Sequence, residues 1–154
     1  MDESSSGEGR SILVVEDSAW VEMVRQAESD YPEECCGVLL GEMGGEAAVV
    51  KRAVACLNSS EESRSSRFLI EPQELLEVRQ RARTAGLELI GFYHSHPDRG
   101  AYFSESDIEN CWPRFANIVL SVEHGRVREA KAFRVDEEQS VAEEEHLIRG
   151  ATPE

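Results

Sequence analysis

The sequence predicts a single α/β domain in which helices flank a mixed β-sheet. Three observations lead there. Short runs rich in β-branched residues alternate with amphipathic stretches of helical period. Two hairpin signals, Gly44-Gly45 and His124-Gly125-Arg126, fall on either side of an apolar run at residues 87–96, which favours a mixed sheet over a doubly wound parallel one. The 154 residues, 40% apolar, suit one core of ordinary size, and no repeat is visible at a period of 20–50 residues.

Each element follows from its residues. Residues 11–16 (SILVVE) read as a first strand. Asp17 or Ser18 can cap the helix that follows, with Ala19, Trp20, Met23, Val24 and Ala27 on one face as far as Ser29 and Tyr31-Pro32 ending it. Residues 36–41 form a continuous apolar run, as expected of a strand buried on both faces, and residues 47–57 supply its hairpin partner. Residues 58–67 are polar and read as a surface loop. Pro72 suits the first turn of a helix carried by Leu75, Leu76, Val78 and Ala82 and stopped at Gly86. Residues 87–96 form the next strand, ended by Pro97; 104–112 a short helix stopped by Pro113; 117–123 and 127–135 a strand pair. Residues 137–149 are charged, with few apolar positions, and read as a terminal helix. The expected organisation is a flexible acidic tail at 1–10, the folded domain at 11–136, and an acidic C-terminal helix and tail at 137–154.

Lys and Arg number 16 against 31 Asp and Glu, a net charge of −15. Nucleic-acid affinity comes mainly from cations replacing counterions, so nucleic acid is not an expected partner, nor is an anionic membrane surface. No apolar run reaches the roughly 18 residues a spanning helix needs, and residues 1–10 lack the apolar segment of a signal peptide, so a cytoplasmic location is expected. Cys35, Cys36, Cys56 and Cys111 make no CxxC pair and read as free thiols.

The chemistry concentrates in Tyr93-His94-Ser95-His96-Pro97 and Ser104-Glu105-Ser106-Asp107. Histidines at i and i+2 on a strand share a face, and Ser95 must then point the other way. Pro97 disfavours the helical region for His96 and keeps it extended. Two imidazoles with the Asp107 carboxylate would leave one tetrahedral position for water, the pattern of a catalytic zinc. Such a site needs a base that is not a ligand, and Glu34, just before the buried strand, is the candidate. Ser104 could steady a developing oxyanion. The blander readings are a surface or core histidine pair, and a capping box in which Ser104 caps a helix and Asp107 answers it. Arg99 could face a substrate carboxylate, but reads first as a solvated loop arginine.

These residues resemble the JAMM (MPN-plus) metalloprotease family: a Glu upstream, His-Ser-His-Pro, seven residues, then Ser and an Asp three further on, here Glu34, His94 to Pro97, Ser104 and Asp107. Residues 31–41, 68–72 and 90–93 are also similar, and the likeness covers about 12–135. The resemblance implies a curved mixed sheet like that of cytidine deaminase. It also implies zinc held by His94, His96 and Asp107, with Glu34 as general acid/base and Ser104 supporting the tetrahedral intermediate. The implied substrate is the C-terminal tail of a ubiquitin-like or sulfur-carrier protein. The chain lacks the long inserts of eukaryotic members and looks closer to a small bacterial branch that releases cysteine from a sulfur carrier. Its loop differs from the branch in carrying Tyr102 and Phe103, expected to shape a flexible substrate rim. Two other readings compete: a non-catalytic MPN-type scaffold, and a thiol enzyme using Cys35-Cys36.

Overall fold

A computed structural model of the chain describes residues 11–45, 47–57 and 70–150. The expected N-terminal tail, the expected loop at 58–67 and residues 151–154 lie outside the described residues. The β-branched start forms β1 (Ile12–Glu16), which runs directly into α1 (Asp17–Asp30). Ala19, Met23 and Ala27 recur at intervals of four, the spacing of one helical face, and all three are buried. Next come β2 (Cys36–Met43), β3 (Ala47–Cys56), α2 (Pro72–Thr84), β4 (Glu88–Pro97), α3 (Glu105–Asn110), β5 (Ala116–Glu123), β6 (Arg126–Val135) and β7 (Ala142–Gly150).

The strands pair in the order β1-β3-β2-β4-β5-β6-β7, and β7 pairs back onto β1, so the sheet closes into a barrel. Pairing is mixed: β1 runs parallel to both β3 and β7, β4 parallel to β5, and the other neighbours are antiparallel. The expected mixed sheet with flanking helices is therefore present, but it is a closed seven-stranded barrel rather than an open curved sheet.

The expected C-terminal helix is not formed. Residues 136–141 make a turn, in which Asp136 accepts from the backbone N–H groups of Ser140 and Val141, and β7 follows. Helix propensity is a weak prior, and here it loses to two exposed sheet edges, because β7 pairs with β6 on one side and β1 on the other. Glu145 is buried on that strand and accepts from Arg134 Nε at 2.9 Å.

The central strands are buried on both faces, as their unbroken apolar runs predict. Leu39, Ile90, Tyr93, Ile118 and Leu120 pack with α1 in one cluster, while Val38, Leu40, Phe92 and Cys56 pack with Leu75, Val78 and Ala82 of α2 in another. Gly37 lets β2 pass the Tyr93 ring: a Cβ there would stand 2.4 Å from that ring, too close for any side chain. The Tyr93 hydroxyl donates to Gln26 of α1, tying the helix to the strand that carries the two histidines.

Candidate metal centre

His94 and His96 lie at the end of β4, on the same face as Phe92, while Tyr93 and Ser95 point to the other. Cys36 of β2 is paired across from His94. Just beyond that pair, the Ser95 N–H donates to the Cys35 carbonyl at 3.1 Å, and the Cys35 N–H donates to Ser95 Oγ at 2.8 Å. This double link sets Glu34 across from His96. Ser95 points away from the histidines, as strand alternation predicts, and its link to Cys35 holds Glu34 against the imidazoles.

Asp107 arrives from α3. Ser104 is the N-cap: its Oγ accepts from the Asp107 N–H at 3.0 Å, and its own N–H donates to Asp107 Oδ2 at 2.9 Å. The capping box is real, and it also orients the carboxylate. The same Oδ2 lies 3.3 Å from His94 Nε2 and 3.4 Å from His96 Nε2, and the two Nε2 atoms are 3.2 Å apart.

His96 Nδ1 is 2.9 Å from the Gly100 carbonyl, which can only accept, so Nδ1 carries a hydrogen and Nε2 is the ring nitrogen left to face Asp107. His94 Nε2, His96 Nε2 and the Asp107 carboxylate oxygen converge on one point, where an ion would meet two imidazole nitrogens and a carboxylate together. The three edges also match a tetrahedral ion: arms of about 2.0–2.1 Å to His and Asp ligands separate neighbouring ligands by about 3.3 Å. The donor set is thus chemically and sterically fit for zinc. Among the described residues, His94, His96 and Asp107 are the group with metal-binding character.

Both histidines and Glu34 are buried. Burial raises the Glu34 carboxyl above its usual value, against the pull of His94, Arg99 and His96. Burial alone would raise Asp107 too, but the two imidazoles and the Ser104 N–H outweigh it and hold this carboxyl well below the ordinary range. Burial pushes the Cys35 and Cys56 thiols up to about 12 and raises Cys36 as well. Thiols so protonated are poor nucleophiles, which removes the basis of the thiol-enzyme reading.

The loop at 98–103 is pinned rather than flexible. Asp98 accepts from Tyr31 Oη at 2.6 Å and from the His124 N–H at 3.0 Å, and Ser121 Oγ donates to the Arg99 carbonyl at 2.5 Å. Its aromatics pack on the imidazoles: Tyr102 lies 5.0 Å from His96 and Phe103 6.2 Å from His94, between ring centroids. Phe103 is stacked in turn on Phe133. A cavity of about 90 Å³ opens beside them, lined by Phe92, His94, Phe103, Asp107 and Trp112 among others. Arg99, read first as a solvated loop arginine, is not one: its Nη2 donates to Glu34 Oε2 at 2.6 Å, a pairing the sequence reading did not foresee. An arginine 65 residues away gives no pattern to read.

A model of the prokaryotic homologs of the JAB domain matches residues 16–136. The chain belongs to the Prok-JAB family. This JAB-domain protein is 35% identical over 96 residues to desampylase from Haloferax volcanii, covering 62% of this chain and 67% of that protein. It is 28% identical over 125 residues to CysO-cysteine peptidase from Mycobacterium tuberculosis, covering 80% and 83% of the two chains. In three dimensions it is similar to a protein from Desulfitobacterium hafniense, with a TM-score of 0.80, 26% identity and 92% and 95% coverage. A Salinibacter ruber protein matches with a TM-score of 0.67, 27% identity and 91% and 95% coverage. The JAMM resemblance and its sulfur-carrier branch hold at the level of the family.

Proposed function

We propose that this JAB-domain protein is a zinc-dependent hydrolase that cuts the amide bond after the C-terminal glycines of a ubiquitin-like protein. The finer reading is release of cysteine from a sulfur-carrier protein, in keeping with the name of the mycobacterial relative. The observation that carries it is the triangle of His94, His96 and Asp107 donor atoms, 3.2–3.4 Å on a side, with the buried Glu34 fixed next to it but outside it. These three side chains would hold the ion. Zinc bound there supplies Lewis acidity, which brings the pKa of a coordinated water to about 7.

The rest of the reaction falls to this chain's own groups. Glu34 takes a proton from the attacking water and delivers it to the leaving amine. The Ser104 hydroxyl, whose oxygen already accepts from Asp107, keeps its hydrogen to donate to the oxygen that gains charge on the scissile carbonyl. Tyr102 and Phe103 form the rim against which the tail lies. A cytoplasmic location and a protein tail, rather than nucleic acid or membrane, complete the reading.

The purified protein should contain about one zinc per chain by elemental analysis, the count of a single three-ligand site. His94→Ala should lose both the metal and hydrolysis of a Gly-Gly-linked substrate. With Cys111, which lines the cavity beside Asp107, replaced by Ser, iodoacetamide should leave hydrolysis intact, because burial keeps the Cys35 and Cys56 thiols near 12 and raises Cys36. Full turnover by His94→Ala, or loss on alkylation, would reject the mechanism.

A further inference from the structure

Arg99 joins the candidate base to the outside. The Glu34 side chain is 3% exposed, while the Arg99 side chain that donates to it is 32% exposed. The backbone beneath Arg99 is held, not loose. Its own carbonyl accepts from Ser121, Asp98 before it is anchored by Tyr31 and His124, and Gly100 after it by His96. A guanidinium has five N–H donors in a planar fork. One is given to Glu34, and no other acceptor takes the rest among the described residues. A planar, permanently charged fork with free donors, fixed in place and part open to solvent, is suited to pair with a carboxylate.

The chemistry says which carboxylate. Glu34 can protonate the leaving amine only if that nitrogen comes within hydrogen-bond reach of its carboxyl. In an amino acid, the α-carboxylate is attached one carbon from that nitrogen, so an amine brought to Glu34 carries its carboxylate to the Arg99 fork. A lysine side-chain amine brings only methylenes.

Resting on the hydrolase reading above, we propose that Arg99 is a specificity-determining residue that binds the α-carboxylate of the leaving group. The substrate is then a Gly-Gly-ended carrier extended by one amino acid with a free carboxyl, not a carrier joined to a lysine side chain. The reaction balances as simple hydrolysis. Water's oxygen bonds to the glycine carbonyl carbon and the C–N bond breaks. The proton taken by Glu34 goes to the nitrogen, and the products are the carrier's glycine carboxylate and a free amino acid.

The test uses the full-length zinc-loaded protein and a ubiquitin-fold sulfur-carrier protein extended past its Gly-Gly by one alanine. One form carries the free carboxylate and one the C-terminal amide, and cleavage is followed by intact mass. Wild type should prefer the carboxylate in kcat/KM by about 10- to 100-fold, the range for one charged hydrogen-bonded pair. Arg99→Gln should bring that ratio close to one, and Arg99→Lys should keep part of it. The ratio matters because general damage to the site lowers both rates together. Equal rates on both forms in wild type, or an unchanged ratio in Arg99→Gln, would overturn the inference and leave the hydrolase reading standing. Failure to cut either form would overturn both.

Discussion

A backbone carbonyl decides how His96 faces the site. Because Gly100 accepts from Nδ1, Nε2 is the nitrogen turned to the inside, and Ser104 does the equivalent for Asp107 by donating its N–H to Oδ2. Ligand and base are separate residues in this arrangement, so they can be separated by substitution. Glu34→Gln should keep about one zinc per chain, since Glu34 is outside the donor triangle, while kcat falls by about 10²- to 10⁴-fold, the usual weight of a general base. Elemental analysis beside steady-state kinetics checks both halves, and a variant that turns over normally would remove Glu34 from the mechanism. At this scale the spacing of His94, His96, Ser104 and Asp107 is legible because strand alternation and a helix cap are local rules. Arg99 is not legible, since its partner Glu34 meets it only through the β2–β4 pairing.

Among the elements, those with strong periodicity or unbroken apolar runs were readable: α1 through Ala19, Met23 and Ala27, and β2 and β4 through their two-sided burial. The segment after β6 was not. Its glutamates favour a helix locally, and only the unpaired edges of β1 and β6 make it a strand. The turn that delivers it depends on one side chain. Asp136 has its carboxyl held below the usual value, chiefly by the Val141 N–H, then by the hydroxyl and N–H of Ser140. A carboxyl with a depressed folded pKa binds its proton more weakly folded than unfolded. Its contribution is therefore complete above the unfolded value of about 3.9 and fades as the pH drops below that toward the folded value. Asp136→Asn should melt below wild type at pH 7, and the gap should narrow on acidification into that window. A gap in Tm that stays constant with pH would mean that the carboxylate's charge has no part in the turn.

For the whole molecule, closure of the barrel and the candidate metal centre lie on different arcs of the ring. β7 is separated from β4 by β6 and β5 one way, and by β1, β3 and β2 the other. The seam at β7 contains a buried ion pair, Glu145 with Arg134, in which the glutamate side chain is 3% exposed and the arginine 25%. Arg134 also donates to the Arg114 carbonyl, so it braces the entry to β5 as well. Removing one member of such a pair leaves the other charge buried, at about 3–5 kcal/mol, whereas replacing both with apolar residues of similar volume is often neutral. Arg134→Ala should therefore lower stability by that order, and Arg134→Met with Glu145→Leu should recover most of it. Denaturant unfolding measures both. Zinc content and the kcat of whatever remains folded should be nearly those of wild type in each, because neither residue touches the centre. If Arg134→Ala instead emptied the metal site while the chain stayed folded, the closing seam and the catalytic arc would be one cooperative structure, and the separation read from the strand order would be wrong.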